Sequence, residues 1–399
     1  MQYVTNHATV IRNSIRILIL FFIVSIALPV YAVELKNGYL RVDVNDNNAR
    51  IRIYTTSGNP EYGSDDNQPL TGDFDPPRTA AIININNQKF VKFGSRDGTF
   101  TQPPTHQGNK IIAKWKIDSI EITQIIAFMK SAFSGTEDTV KIKYLLHNTG
   151  ASTALIGVRL IFDTQLGDRD QYPFIVPHIE THRINTENQL TGAMVGDYWC
   201  FWNDPSEPSS FIVSGFIGDH LVHPDIITFA GYARISKAQG MLTEIKNKKG
   251  FAGNGEPANS AVEYIWQPKE IKPGTKDGIA VCFGTGKVSK KTTDDIDIAV
   301  FSPIEQIHGR KIFIAAQIKN HSTVNSIRKL TIRCTVSGSI ALRSQNTFSE
   351  KKLDPGESTW YFWETEAPTA GSGTLQISVS GSARARHIQE NITRTVSIK

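Results

Sequence analysis

Cysteine is scarce in this sequence of 399 residues, which contains three, and no apolar run after residue 32 is long enough to span a membrane. The chain also lacks the Gly-x-Ser-x-Gly turn of many serine hydrolases and the glycine-rich phosphate loop of nucleotide-binding proteins. No capped apolar pattern with a 3.6-residue period continues for three turns. These absences exclude a disulfide-rich scaffold, a helical bundle and a P-loop fold.

The first 32 residues have the pattern of a secretory signal peptide. Arg12 and Arg16 precede an apolar run over residues 17–28, and Val30-Tyr31-Ala32 ends it with small residues at −3 and −1. The run is too short for a membrane span, which needs about 20 residues. We therefore expect export to the periplasm, the cell surface or the medium, with a mature chain beginning at Val33 and no transmembrane segment.

Charge and cysteine usage say little about partners. The formal net charge is +5, and its dense runs, residues 246–249 and 287–291, lie beside Gly and Ser in predicted loops. We interpret them as solvated loop charge and expect no nucleic-acid partner. Cys200, Cys282 and Cys334 lie in apolar, strand-like contexts, which favours buried free thiols, although a Cys200–Cys282 disulfide stays open as an alternative.

Apolar and polar residues alternate with period two in many short segments, such as residues 39–44, 140–145 and 375–379. Turn clusters rich in Asn, Gly and Pro separate these segments. The pattern predicts an all-β protein: a large antiparallel β-sandwich or supersandwich, followed by an immunoglobulin-like sandwich.

The predicted organisation is a signal peptide (1–32), a β-sandwich domain (33–286), a polar linker (287–295) and an immunoglobulin-like domain (296–399). In the last domain Trp360 and Phe362 alternate with Tyr361 and Trp363. One pair is therefore expected in the core and the other at the surface or between the domains.

The most distinctive segment is Asp163-Thr164-Gln165-Leu166-Gly167-Asp168-Arg169-Asp170, followed by Pro173-Phe174. It resembles a motif of secreted bacterial proteins of uncharacterised function, which carry an N-terminal β-sandwich and an immunoglobulin-like, adhesion-type C-terminal domain. The resemblance covers residues 33–286 and implies the fold without an activity. A broader similarity to galactose mutarotase-type supersandwiches rests on architecture.

Two clusters could bind metal ions. Asp163, Asp168 and Asp170 follow a predicted strand with the alternate carboxylates typical of calcium loops; alternatively, Asp163 caps a turn and the other two are solvated or pair with Arg159 or Arg169. His178, Glu180 and His182 would share one face of a strand and suit a transition metal, the alternative being a polar solvent face. Calcium is the one cofactor that the sequence suggests.

The densest aromatic segment, residues 198–202, precedes Asn203. Tyr198, Trp199 and Trp202 could stack on a sugar whose hydroxyls bond to Asn203, and the alternative is core packing. Asp219, His220, His223 and Asp225 form a further polar cluster in a loop with Pro224, which we interpret as solvent-exposed.

No catalytic constellation is evident. The first hypothesis is therefore a secreted, non-catalytic binding or adhesion protein that recognises an extracellular glycan or protein, with calcium as a stabilising ion. The second is an extracytoplasmic carbohydrate-active enzyme on a supersandwich fold, with carboxylates converging on one face. The third is a structural surface or matrix component that assembles through an exposed strand edge.

Overall fold

Buried and exposed side chains alternate along most strands of the computed structural model. It describes residues 32–57, 66–72, 77–166, 173–177, 179, 183–202, 212–216, 222–245, 251, 259–286, 288–384 and 386–399. Residues 33–399 form one compact unit. The prediction of an all-β protein built from antiparallel sandwiches is confirmed.

Eighteen strands form three sheets that we call the N-terminal sandwich. A short α-helix, α1 (Tyr232–Lys237), and a 3₁₀ turn (Gly192–Met194) accompany them. The strands are β1 (Ala32–Lys36), β2 (Leu40–Asn45), β3 (Ile51–Thr55), β4 (Ala80–Ile85), β5 (Lys89–Lys92), β6 (Thr99–Gln107), β7 (Lys110–Ile117), β8 (Ile120–Met129), β9 (Thr139–Asn148), β10 (Ala154–Asp163), β11 (Phe174–Ile175), β12 (Arg183–Ile184), β13 (Asn188–Thr191), β14 (Tyr198–Trp202), β15 (Ile212–Phe216), β16 (Ile226–Gly231), β17 (Ser260–Ile271) and β18 (Lys276–Thr285).

The six-stranded sheet has the order β13-β16-β17-β10-β4-β5, and the nine-stranded sheet has the order β12-β11-β14-β15-β18-β9-β8-β7-β6. Side chains from these sheets and from the three-stranded sheet β1-β2-β3 share one core, in which Trp115, Tyr144, Phe162 and Trp199 are almost completely buried. Burying a large apolar side chain stabilises the fold by roughly 1.5–3 kcal/mol, so this core holds the sheets together.

The remaining ten strands form two five-stranded sheets that we call the C-terminal sandwich. Their orders are β19-β20-β22-β26-β24 and β21-β28-β27-β23-β25. The strands are β19 (Ser289–Thr292), β20 (Ile296–Phe301), β21 (Glu305–Gln306), β22 (Lys311–Asn320), β23 (Ile327–Gly338), β24 (Ala341–Leu342), β25 (Thr347–Leu353), β26 (Ser358–Glu366), β27 (Gly371–Ala383) and β28 (Arg386–Ile398).

Strand β19 lies inside the segment predicted as a linker. It pairs with β20 from Ser289↔Val300 to Thr292↔Asp297, so its backbone groups extend the sheet although its side chains are polar. The aromatic alternation on β26 is as expected: Tyr361 and Trp363 are in the C-terminal core, and Trp360 and Phe362 pack on a cluster between the sandwiches.

An apolar cluster joins the two sandwiches. Phe133, in the loop after β8, stacks on Phe301 of β20 with ring centroids 4.5 Å apart. The backbone amide of Ile304 donates to the carbonyl of Ala132 at 2.7 Å. Arg394 donates to the carbonyls of Ser302 and Phe133, and its burial lowers the pKa of its guanidinium to about 10. Apolar packing and partly buried hydrogen bonds therefore fix this contact.

Strand β6 forms one edge of the nine-stranded sheet. It contains Pro103 and Pro104, and its pairing with β7 is irregular on both sides of Gln102. All three cysteines are buried and none forms a disulfide. No helix among the described residues is long and apolar enough to cross a membrane.

Candidate functional site

A cavity of about 340 Å³ lies where the two sandwiches meet. Both sandwiches contribute to its lining, which consists of Pro177, Val195, Gly196, Asp197, Tyr198, His223, Arg310, Lys311, Ile312 and Phe313. The volume is at the lower end of the range of about 300–1,000 Å³ that is usual for small-molecule sites. The cavity combines an apolar wall with converging polar groups.

Asp197 is the centre of the polar groups in the cavity. Its Oδ1 lies 3.2 Å from Nε2 of His223 and 3.6 Å from an Nη of Arg310. All three side chains are partly exposed, so a ligand in the cavity can reach them. Asp197 and His223 come from the N-terminal sandwich and Arg310 comes from the C-terminal sandwich, so the cluster exists only where the two meet.

A tight turn before β22 places Arg310 at the cavity. Gly309 has φ +76°, which favours glycine, and its amide donates to the carbonyl of Ala367 at 2.8 Å. The side-chain amide of Gln306 donates to the carbonyl of Arg310 at 2.9 Å. With its backbone held in this way, Arg310 presents its guanidinium to the cavity, and among the described residues this guanidinium makes no hydrogen bond.

Tyr198 contributes to the wall without offering a free ring face. Its hydroxyl donates to the carbonyl of Phe313 at 2.6 Å, and its ring packs against Phe133 and Phe301 with centroids 5.0 and 5.4 Å away. Burial raises the pKa of this phenol well above its ordinary value. Tyr198 therefore joins the sandwiches and does not stack on a ligand.

The prediction that Trp199 stacks on a sugar is also corrected. Trp199 is 1% exposed, donates from Nε1 to the hydroxyl of Tyr264 at 2.8 Å and stacks on Phe201 inside the core. The alternation of β14 turns it inward because its neighbours Phe174 and Phe229 fill the same core. The side chain of Trp202 and all of Asn203 lie outside the described residues.

Asp163 ends β10 in a fully buried position. Neither carboxylate oxygen accepts a hydrogen bond among the described residues, and the nearest cation is Arg78, 3.6 Å from Oδ2. Burial raises the pKa of Asp163 to about 7, and Arg78 and Asn259 offset this only in part. The guanidinium of Arg78 therefore faces one carboxylate oxygen of Asp163.

The remaining metal predictions fall on Asp168, Asp170, His178, Glu180 and His182, which lie outside the described residues. In the part of the chain that the structure describes, no group of three His, Cys, Asp or Glu residues could hold a metal ion. A calcium loop at residues 163–170 and a transition-metal site at residues 178–182 stay predictions.

Arg159 forms its ion pair within the six-stranded sheet and not with the acidic loop that follows it. It is fully buried and pairs through Nε with Glu263 of β17. Its other nitrogens donate to carbonyls at the end of α1 and beyond, those of Ile235, Ala238 and Gly240, and to the hydroxyl of Thr243. Arg159 therefore fastens the segment 235–243 to the six-stranded sheet.

Sequence reasoning missed Asp197 and Arg310 and treated His223 as an exposed loop residue. These residues are separated by 26 and 87 positions along the chain, and no periodicity connects them. The glycine of the turn at Gly309 was the one local sequence feature that could have pointed to Arg310. Their convergence depends on the way in which the two sandwiches pack.

No model of a known protein family matches the chain, and a search of curated proteins gives no match. Solved structures give distant similarities. A galactose mutarotase-like protein from Lactobacillus casei ATCC 334 is 10% identical with a TM-score of 0.40, over 64% of this chain and 100% of its own. A galactose mutarotase related enzyme from Lactobacillus acidophilus is 10% identical with a TM-score of 0.38, over 64% and 98%.

A polysaccharide lyase is also 10% identical, with a TM-score of 0.34, over 91% of this chain and 46% of its own. Identities and TM-scores this low assign neither a family nor an activity to the chain.

Proposed function

We propose that this protein is an exported, glycan-binding protein whose ligand occupies the cavity between the two sandwiches. The observation that carries the proposal is the convergence of Asp197, His223 and Arg310 on an apolar-walled cavity. The leader of residues 1–32 supports export.

The chemistry of the cavity suits a sugar. Pro177, Val195 and Ile312 supply aliphatic surface for the C–H face of a pyranose ring. Asp197 can accept hydrogen bonds from sugar hydroxyls, and Arg310 can donate to their oxygens. Lys311, the further cation of the lining, is already paired with Glu364 at 2.6 Å. The remaining charges of Asp197 and Arg310 balance, which suits an uncharged ligand.

A glycan array followed by calorimetry with the best ligand tests the proposal. We expect Asp197→Ala and Arg310→Ala each to weaken binding by at least roughly tenfold, because each removes hydrogen bonds to a charged group. Arg333→Ala, on the exposed face of β23, is the matched control and should bind as the unmodified protein does. If no glycan binds, or if the cavity variants bind normally, the proposal is wrong.

The Asp197–His223 pair favours a second candidate function, a carbohydrate-active enzyme. A carboxylate beside one imidazole nitrogen can orient the ring and leave Nδ1 to act as a general base. The same array ligands, incubated with the protein, should then change in reducing ends or anomeric ratio. His223→Asn should abolish that change and leave binding within a few-fold, whereas a purely binding protein causes no change at all.

A further inference from the structure

Lysines gather on one face of the nine-stranded sheet. Along β7 the odd-numbered residues 111–117 point into the core, so Lys110, Lys114 and Lys116 point outward. On β9 the same alternation turns Lys141 and Lys143 outward, and β18 adds Lys276 opposite His147. We call this surface the lysine face.

The strand register brings the lysines together. Lys116 pairs with Glu121 of β8, which pairs with His147 of β9, and Lys110 pairs with Ala127, which pairs with Lys141. Alternate residues on a strand are about 6.8 Å apart, and β7 and β9, with β8 between them, are about 9.6 Å apart. The cations therefore form a two-dimensional array in which nearest neighbours are roughly 7–14 Å apart.

The array is not neutralised. Within the described residues none of the six lysines has a carboxylate within 4 Å, and Glu121, the one acid of these outward rows, lies 3.9 Å from Nδ1 of His147. Six lysines against one glutamate leave an excess of five positive charges on this face. Arg12 and Arg16 of the leader account for two of the formal net charge of +5, so residues 33–399 carry 5 − 2 = +3. The lysine face is therefore more positive than the mature chain as a whole.

From this array we propose that the lysine face binds an acidic polysaccharide, a chain of sugars bearing carboxylate or sulfate groups. The edge strand β6 places Gln102 beside Lys114 and Gln107 beside Lys110, where the side-chain amides can bond to sugar hydroxyls. Exposed large apolar residues, which would insert into a lipid surface, lie elsewhere among the described residues: Phe90, Met194, Val222, Leu242 and Val324. Repeating charge and hydroxyls match this face better than a membrane does.

Affinity electrophoresis of the purified full chain in gels containing polygalacturonate or dextran sulfate, with neutral dextran as the reference, tests the proposal. We expect retardation by at least one acidic polymer, no retardation by dextran, and weakening with salt as the charges are screened. Replacing Lys114, Lys116, Lys141 and Lys143 with Gln should reduce affinity by roughly tenfold or more, because each exposed charge contact contributes modestly and four are lost.

The control replaces Lys36, Lys290, Lys329 and Lys351 with Gln, which removes the same charge from other surfaces. Affinity within about twofold of the unmodified protein is expected for it. Equal losses in both quadruple variants, or binding to anionic phosphatidylglycerol vesicles without binding to either polymer, would overturn the proposal. Arg310→Ala, which tests the cavity, should leave this binding unchanged, so the two proposals can fail separately.

Discussion

Arg159, Asp163 and Glu263 are fully buried in the N-terminal sandwich. In the described part of the C-terminal sandwich Asp297 is the one charged residue buried to a similar degree, and Arg394 is partly buried. Most of the C-terminal core is aliphatic and aromatic, from Ile296 to Ile388. Buried charges lower stability unless they are paired and hydrogen-bonded. The comparison shows that the N-terminal sandwich carries most of the buried charged side chains and that their pairing matters most to its stability.

Two outer faces, one on each sandwich, also differ in their number of charged residues. The outward rows of β23, β27 and β28 consist almost entirely of neutral polar residues, for example Thr335↔Gln376↔Thr393, with Arg333 as a charged member. The lysine face of the N-terminal sandwich holds six cations. The outward rows of β23, β27 and β28 therefore carry fewer charges than the lysine face.

The largest expected effect comes from breaking the buried pair in the N-terminal sandwich. Arg159→Met leaves Glu263 buried without its partner and removes the donors to three carbonyls. We expect a loss of about 3–5 kcal/mol in the free energy of unfolding, measured with urea.

The double variant Arg159→Met with Glu263→Met should recover much of that loss, because no charge is then buried alone. Arg333→Met, on the exposed face of the C-terminal sandwich, should change stability by less than about 0.5 kcal/mol. A double variant as unstable as the single one would contradict the pairing argument.

Asp163 should make stability depend on pH. Its pKa is raised from 3.8 to about 7 in the folded chain, so its contribution is fully present below pH 4 and is lost as pH rises through 7. Asp163→Asn should remove this loss, up to about 4 kcal/mol. Urea unfolding at pH 4, 6 and 8 measures the free energy of unfolding of both proteins. An equal change of this free energy with pH in both would show that Asp163 is not the cause.

Asp138 should also make the stability fall as pH rises, over a lower pH range than Asp163. Burial raises the pKa of Asp138 from 3.8 to about 6, although hydrogen bonds from Ser134, Thr136 and Thr139 lower it in part. Stability from this group is complete below pH 4 and is lost as pH rises through 6, by about 3 kcal/mol. Between pH 4 and 7 the unfolding temperature of Asp138→Asn should change less with pH than that of the unmodified protein. An equal change in both proteins would refute this prediction.

Calcium gives the smallest expected effect. If Asp168 and Asp170 bind the ion, calcium at 100 times its dissociation constant should stabilise the protein by about 2.7 kcal/mol, relative to chelator. Asp168→Ala with Asp170→Ala should abolish the shift, while Asp163→Asn, whose carboxylate faces Arg78, should retain it. Differential scanning calorimetry measures this, and a loss of the shift in Asp163→Asn would place that residue among the ligands.

Local patterns were enough to predict many of the strands, although the polar strand β19 was predicted as a linker. Residues 296–301 are a strand as the alternation predicts, and Tyr361 and Trp363 face the core. The lysine face was in principle visible, because Lys114 with Lys116 and Lys141 with Lys143 alternate with apolar residues. The cavity was not, since Asp197, His223 and Arg310 meet only after two sandwiches have packed, and no local preference encodes that packing.

The two prolines of β6 have a consequence for assembly. A strand that joins a sheet needs an unbroken row of amides and carbonyls, and proline has no amide hydrogen to donate. With Pro103 and Pro104 and two irregular pairings, this margin of the nine-stranded sheet resists extension by a strand from another molecule. A concentrated solution of the protein should therefore not polymerise through this edge. A long partner molecule can bind across the face of the sheet, because no strand is added at the edge.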